Sequence, residues 1–274
     1  MDAERRRQGD RYEVTEEDRA RFHTEGYVHL PGILSEKELA EIETVYERFL
    51  AGEIEVRGKD LCDMTGEYGR SPKEFQLINV MLPRRYWPAW QGNLYERRAA
   101  SIAEQLIGDG LELDYDQLLA KPPGESEAVF HWHQDMAYWI DTPDPRTATL
   151  WLALDDSEVE NGCMRFVPGT HLEPELRSHR PMTGDREDSH TLLTELREGD
   201  DIKLAEIARG DCTVHNERVL HGSGGNTSER WRRAYIVAYR SAETVAEERR
   251  RGFTHSHNDE PDVLGSVESM KQSD

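Results

Sequence analysis

No apolar run in the 274-residue chain approaches the length needed to cross a bilayer. Cysteine is scarce as well. Cys62, Cys163 and Cys212 stand far apart with no paired spacing, which excludes a disulfide frame and suits free thiols in a reducing compartment. Positive charge is outnumbered: 34 Lys and Arg against 55 Asp and Glu give a formal charge of −21. Such a field repels nucleic acid and anionic membrane surfaces and weighs against a large polyanionic substrate. The opening Met1–Asp10 stretch is charged and has no apolar segment, so no secretory leader and a cytoplasmic location are expected. What remains fits one large soluble domain with a sizeable core.

Residues 1–14 read as a flexible arm. Thr15 is a helix cap, followed by Glu16, Glu17 and Asp18, where the helix dipole favours acids. Tyr27–Leu30 alternates as a strand and stops at Pro31-Gly32. Ser35-x-x-Glu38 is a capping box, and Leu39, Ile42, Val45, Phe49 and Leu50 follow at helical spacing. Residues 53–75 read as loop, Tyr86–Trp90 as aromatic packing, and Leu94–Ile107 as a helix stopped by Gly108.

After residue 110 the texture changes. Short strands are expected at Leu111–Leu119, Val129–Tyr138, Thr147–Leu154, Met164–Val167, Ile202–Ile207, Cys212–His215 and Ala234–Tyr239, divided by Gly, Pro and Asn-Gly turns. Helices first and strands after predict an α+β, mainly β chain whose catalytic part is a jelly roll over 111–241, with the helical part at 15–110 packed on it. Residues 172–200 lack a period and read as a lid loop. Residues 242–274 read as a helix-prone start and a frayed polar tail.

Phe130-His131-Trp132-His133-Gln134-Asp135 is the stretch that carries chemistry. On extended backbone His133 and Asp135 share a face and reach one metal ion. With one more histidine they make the two-histidine, one-carboxylate triad of non-haem Fe(II) oxygenases. His-x-Asp alone is weak, because His257-Asn258-Asp259 repeats it and His215-Asn216-Glu217 resembles it. The first of these falls in the expected tail; the second lacks a partner with Arg/Ser spacing. His221, followed by Gly222-Ser223-Gly224-Gly225-Asn226, lies 88 residues after His133, far enough to come from another strand across the barrel.

His133-Gln134-Asp135, then Trp151-Leu152-Ala153-Leu154, then Asn161–His171, then His221-Gly222-Ser223-x-x-Asn226-x-Ser228 with Arg232 resembles the phytanoyl-CoA dioxygenase family. Phe22-x-x-Glu25-Gly26-Tyr27-Val28 resembles the family's opening, so the likeness spans about 15–241. The resemblance implies an Fe(II)- and 2-oxoglutarate-dependent oxygenase on a double-stranded β-helix, a cupin-like jelly roll. It implies His133, Asp135 and His221 as iron ligands, and Arg232 with Ser223 as the anchor for the distal carboxylate of 2-oxoglutarate. Trp151 and Gln117 match cosubstrate-contacting positions.

The chemistry of each type agrees. Arg232 offers a planar, permanently charged fork that suits a carboxylate, and Ser223 shares the face of His221 on extended backbone and adds a hydroxyl donor. Aspartate at 135, rather than Gly or Ala, leaves no ligand position for a halide, so hydroxylation with O2 is the expected outcome. His131 reads as core or as support for the metal strand, His171 as turn support, and Arg233 as a surface charge. Trp132, Tyr138 and Trp139 divide between core and substrate pocket. A small-molecule substrate and a monomer or homodimer are expected. An acyl-CoA or carrier-linked substrate requires Arg177, His179, Arg180 and Arg186 to form a basic mouth. A jelly-roll zinc hydrolase and a non-catalytic binding module are the rivals from other classes.

Overall fold

The computed structural model describes residues 3–140 and 142–259. Its helices begin where local chemistry starts them. Thr15 accepts from the Asp18 amide while Asp18 accepts from the Thr15 amide, opening Glu16–Glu25. Gly26 closes that helix at φ 83°, a left-handed angle that favours glycine. Ser35 and Glu38 cap Glu36–Leu50 in the same way. Leu39, Ile42, Tyr46 and Phe49 then form one buried stripe. Asn93 caps Leu94–Ile107, which buries Tyr95, Ala99, Ile102, Ala103 and Leu106.

Eleven strands build the two larger sheets, both antiparallel. In chain order they are β1 (Tyr27–Leu30), β2 (Leu61–Asp63), β3 (Ile78–Met81), β4 (Leu111–Lys121), β5 (Phe130–His133), β6 (Thr147–Ala153), β7 (Met164–Val167), β8 (Lys203–Ala205), β9 (Cys212–His215), β10 (Leu220–Ser223) and β11 (Arg232–Ser241). The seven-stranded sheet runs β1-β9-β6-β11-β4-β3-β2, and the four-stranded sheet β8-β7-β10-β5. From β4 to β7, and again from β8 to β11, successive strands alternate between the two sheets. The helices Glu36–Leu50 and Leu94–Ile107 cover the outer face of the larger sheet through a cluster that includes Leu118, Leu150, Val214 and Tyr235. Between the sheets lies a second cluster, with Trp151, Ala234 and Ile236 meeting Met164, Phe166 and Val219. Strand parity explains the division: one face of β6 feeds the helices and the other the interior. No helix among the described residues is long and apolar enough to cross a membrane.

Several expectations are corrected. Residues 3–14 are not a loose arm. They form a short helix and a two-stranded hairpin. Arg6 is buried against Asp18, and the Tyr12 hydroxyl donates to the Pro31 carbonyl at 2.6 Å. The 53–75 loop contains β2, which closes the sheet edge beside β3. The expected strand over Val129–Tyr138 ends at His133 and tightens into a 3-10 turn, Asp135–Tyr138.

Residues 172–200 are stitched down rather than structureless. Arg180–Pro181 pairs with Leu192–Leu193, and the Thr194 amide donates to the Trp132 carbonyl at 2.8 Å. Beyond β11, Ala242–Arg250 is helical as expected. Residues 251–259 then fold back, burying Phe253, His255 and His257. The remaining expected tail, 260–274, lies outside the described residues.

Candidate functional site

β5 and β10 are neighbours in the smaller sheet, and His133 stands directly opposite His221. Gly222 permits this approach, since a Cβ there would sit 2.9 Å from the Phe130 carbonyl oxygen. Gln134 stays extended, so Asp135 returns to the His133 side even though it opens the 3-10 turn. One donor atom from each of His133, Asp135 and His221 lies within 4.8 Å of the other two. His133 Nε2 is 3.2 Å and His221 Nε2 3.5 Å from Asp135 Oδ1.

The backbone fixes which nitrogen each imidazole presents. His133 Nδ1 is 2.7 Å from the His131 carbonyl, and His221 Nδ1 is 3.0 Å from the Val219 carbonyl. A carbonyl only accepts, so each Nδ1 carries a proton and Nε2 is the ring atom that faces the Asp135 carboxylate. Burial opposes the Asp135 charge, but His221, His133 and His215 around it hold its pKa well below the ordinary carboxylate range. Burial drives His221 the other way, toward the neutral form that a metal needs. This donor set fits a divalent transition metal with one face open.

Arg232 opens β11 in the opposite sheet and is 1% exposed. Its Nε and Nη1 have no hydrogen-bond partner, and its Cζ sits 5.2 Å from the Trp151 ring. Burial pulls its pKa down to about 10. Arg233 points outward to Asp155 and Glu43, as alternation requires, and is a surface network residue. Ser223 is buried and accepts from Lys121 Nζ at 2.7 Å. Trp151 and Gln117 line the cavity that contains His133, Asp135 and His221. The Gln117 amide donates to Asn79 Oδ1 at 2.6 Å.

The remaining histidines sort themselves. His131 is exposed and contributes its carbonyl, not its ring. His171 Nε2 donates to the His23 carbonyl at 3.1 Å, a turn support. His215 is not a rival metal pair with Glu217. Its Nε2 meets Asp135 Oδ2 at 3.1 Å, while Glu217 faces Arg240 in a separate buried network. His257, discounted as tail, reaches a second cavity beside Asp135, lined also by Met81, Tyr115, Tyr138, Trp139 and His190. The His190 ring stacks on His257 at 3.8 Å and on Tyr138 at 5.0 Å. Lys121 and His190 were not singled out as site residues. Lys121 was findable: it is four residues after Gln117 on one strand, and so on the same face. His190 carries no local signal, and the His257-x-Asp259 pattern does not show its place, because their neighbourhood is built by long-range folding.

A two-histidine, one-carboxylate donor set between two antiparallel sheets, with a buried guanidinium opposite, defines the class of non-haem iron dioxygenases that use a 2-oxo acid. The chain belongs to the phytanoyl-CoA dioxygenase (PhyH) family, whose model matches residues 22–234. It is similar to the probable alpha-ketoglutarate-dependent hypophosphite dioxygenase of Stutzerimonas stutzeri, 27% identical over 231 residues, covering 83% of this chain and 79% of that protein. The crystal structure of EvdO2 from Micromonospora carbonacea var. aurantiaca complexed with 2-oxoglutarate superposes with a TM-score of 0.67 at 28% identity, covering 84% of this chain and 92% of that one. The epimerase SnoN in complex with Fe3+, alpha ketoglutarate and nogalamycin RO gives 0.63 at 29% identity, over 83% of each chain.

Proposed function

We propose that the chain hydroxylates an unactivated C–H bond of a small metabolite or natural-product intermediate, on a double-stranded β-helix core. His133, Asp135 and His221 hold Fe(II). Arg232 pairs with the distal carboxylate of 2-oxoglutarate, Ser223 adds a hydroxyl donor, and Trp151 and Gln117 line the cosubstrate space. With O2, iron bound there supplies the oxidising power to break a C–H bond as 2-oxoglutarate becomes succinate and CO2. The chain's own residues set the frame. The His131 and Val219 carbonyls hold two imidazoles in the right tautomer, and His215 holds the carboxylate.

The observation that carries this reading is Arg232. A fully buried guanidinium with two unpartnered nitrogens is costly unless an anion completes it. A zinc hydrolase has no use for it. The cavity beside Asp135 favours an uncharged or aromatic substrate portion near the metal. Apart from Gln117 and Asp135 itself, its walls are Met81, Tyr115, Phe130, Tyr138 and Trp139, with His190 and His257 kept neutral by burial. The acyl-CoA alternative loses one support, because the Arg177 charge is already matched by Glu173 and Asp200. Kinship to enzymes of natural-product tailoring such as SnoN also favours a small scaffold.

The test is succinate formation from 2-oxoglutarate across a panel of uncharged scaffolds, small phosphonates and acyl-CoA thioesters. Stimulation by one class identifies the substrate. Turnover that survives His133→Ala at controlled metal refutes the assignment.

A further inference from the structure

His190 lines the cavity beside Asp135 as a ring held on both faces. Its centroid lies 5.0 Å from the Tyr138 ring at 14° and 3.8 Å from the His257 ring at 16°. The backbone around it is pinned. The Asp188 carbonyl accepts from the Tyr68 amide at 2.7 Å, and the Thr191 hydroxyl donates to the Met64 carbonyl at 2.8 Å. The Leu192 amide donates to the Tyr138 hydroxyl at 2.9 Å. His257 is fixed from the other side. Its amide donates to the buried Asp60 at 2.7 Å, and its Nδ1 faces Cys62 Sγ at 3.6 Å. A ring sandwiched in this way presents its edge to a ligand, not its faces.

Among the described residues, the His190 ring nitrogens have no hydrogen-bond partner. Neighbouring polar groups are committed: the Tyr138 hydroxyl accepts from Leu192, and the Gln117 amide donates to Asn79. Two imidazolium rings 3.8 Å apart would repel each other, and burial, His257 and Arg186 all push His190 toward its neutral form. A neutral imidazole carries one N–H donor and one lone pair on its edge. A hydroxyl both donates and accepts, so it can meet either nitrogen. We propose that His190 hydrogen-bonds a hydroxyl group of an uncharged substrate, and that His257 acts through it as a positioning residue by stacking on its ring. This deepens the small-molecule oxygenase reading given above and rests on it. Because Asp135 lines the same cavity, such a bond sets which part of the substrate is turned to the proposed metal. The ring is held before the substrate arrives, so little freedom is lost on binding.

The experiment uses the full chain, isotope-labelled in its histidine rings and loaded with Zn(II) and 2-oxoglutarate. It is titrated in the NMR tube with benzyl alcohol and with toluene, which has the same ring and no hydroxyl. Benzyl alcohol is expected to shift a ring-nitrogen resonance that is missing from His190→Phe, and to bind about 3- to 10-fold more tightly than toluene. His190→Phe keeps the stack and should lose that preference while binding toluene as wild type does. His257→Phe, which restores the stack, should keep the preference, and His257→Ala should lose it. The His257 pair decides the matter if His190→Phe does not fold. The inference is overturned if wild type binds neither probe or binds both equally. It is also overturned if the preference survives in His190→Phe or in His257→Ala. The charge-transfer band of anaerobic wild type with Fe(II) and 2-oxoglutarate is recorded alongside. Without that band the oxygenase reading itself falls; with the band and no preference for the alcohol, only the role of His190 falls.

Discussion

His215 Nε2 sits 3.1 Å from Asp135 Oδ2, on the carboxylate oxygen opposite the one nearer His133 and His221. The carboxylate is thereby held against rotation, with Oδ1 presented to the proposed metal. His215→Ala is expected to lower Fe(II) or Mn(II) affinity by about 10- to 100-fold with the fold intact. His215→Gln, which can still donate, should recover part of the loss. Unchanged metal affinity in His215→Ala counts against an orienting role.

Gly222 lets β10 approach β5. A Cβ at this position meets the Phe130 carbonyl oxygen at 2.9 Å and the His131 carbonyl oxygen at 3.2 Å. Gly222→Ala must spread the strands that carry His133 and His221. We expect a destabilisation of about 1–3 kcal/mol and weaker metal binding. Gly224→Ala is the control, since its nearest neighbour is Gly162 Cα at 4.0 Å. Denaturant unfolding and metal titration of the two variants separate the outcomes.

Glu38 receives two bonds from the buried Arg98, at 2.7 and 2.9 Å, and also caps Ser35. The Arg98 bond is the main reason its pKa falls from 4.5 to about 2. A depressed carboxylate contributes stability above its unfolded pKa and loses it as pH falls through the folded value. Glu38→Gln should therefore be less stable than wild type at neutral pH. The gap should narrow between 4.5 and about 2. Urea midpoints measured over that range check the sign: a gap that widens on acidification contradicts it.

His255 fastens the returning segment. Its Nε2 lies 2.8 Å from Asp114 and 3.3 Å from Glu248. Burial opposes its charge, but Asp114 and Glu248 outweigh burial and raise its pKa above 6.5. A raised histidine contributes its full stability below the unfolded pKa and loses it as pH rises through the folded value. Amide protection of residues 251–259, corrected for intrinsic exchange, should fall on the alkaline side. In His255→Ala it should be low throughout. Protection that is indifferent to both changes removes this clasp from the account.

The legible part of this molecule was local or repeated. Caps at Thr15 and Ser35, the Leu39–Phe49 stripe and the turn-bounded strands depend on residues a few positions apart, so sequence shows them. His133, Asp135, His221 and Arg232 were legible through their order and neighbours. The missed features depend on distant partners. Residues 1–14 read as a loose arm because Arg6 meets Asp18 and the Tyr12 ring only on folding. His257 looked like tail until Glu248 and His255 dock the segment that carries it beside His190.

The central claim is that His133, Asp135 and His221 hold one Fe(II) and that Arg232 completes a 2-oxoglutarate site beside it. Anaerobic titration of the metal-free protein with Fe(II), then 2-oxoglutarate, tests it most directly. The account predicts one tightly bound iron per chain and a visible charge-transfer band on adding the 2-oxo acid. His221→Ala should lose the iron, and Arg232→Met should keep the iron but need far more 2-oxoglutarate. A band of full strength in His221→Ala, or its absence in wild type with iron bound, would contradict the account.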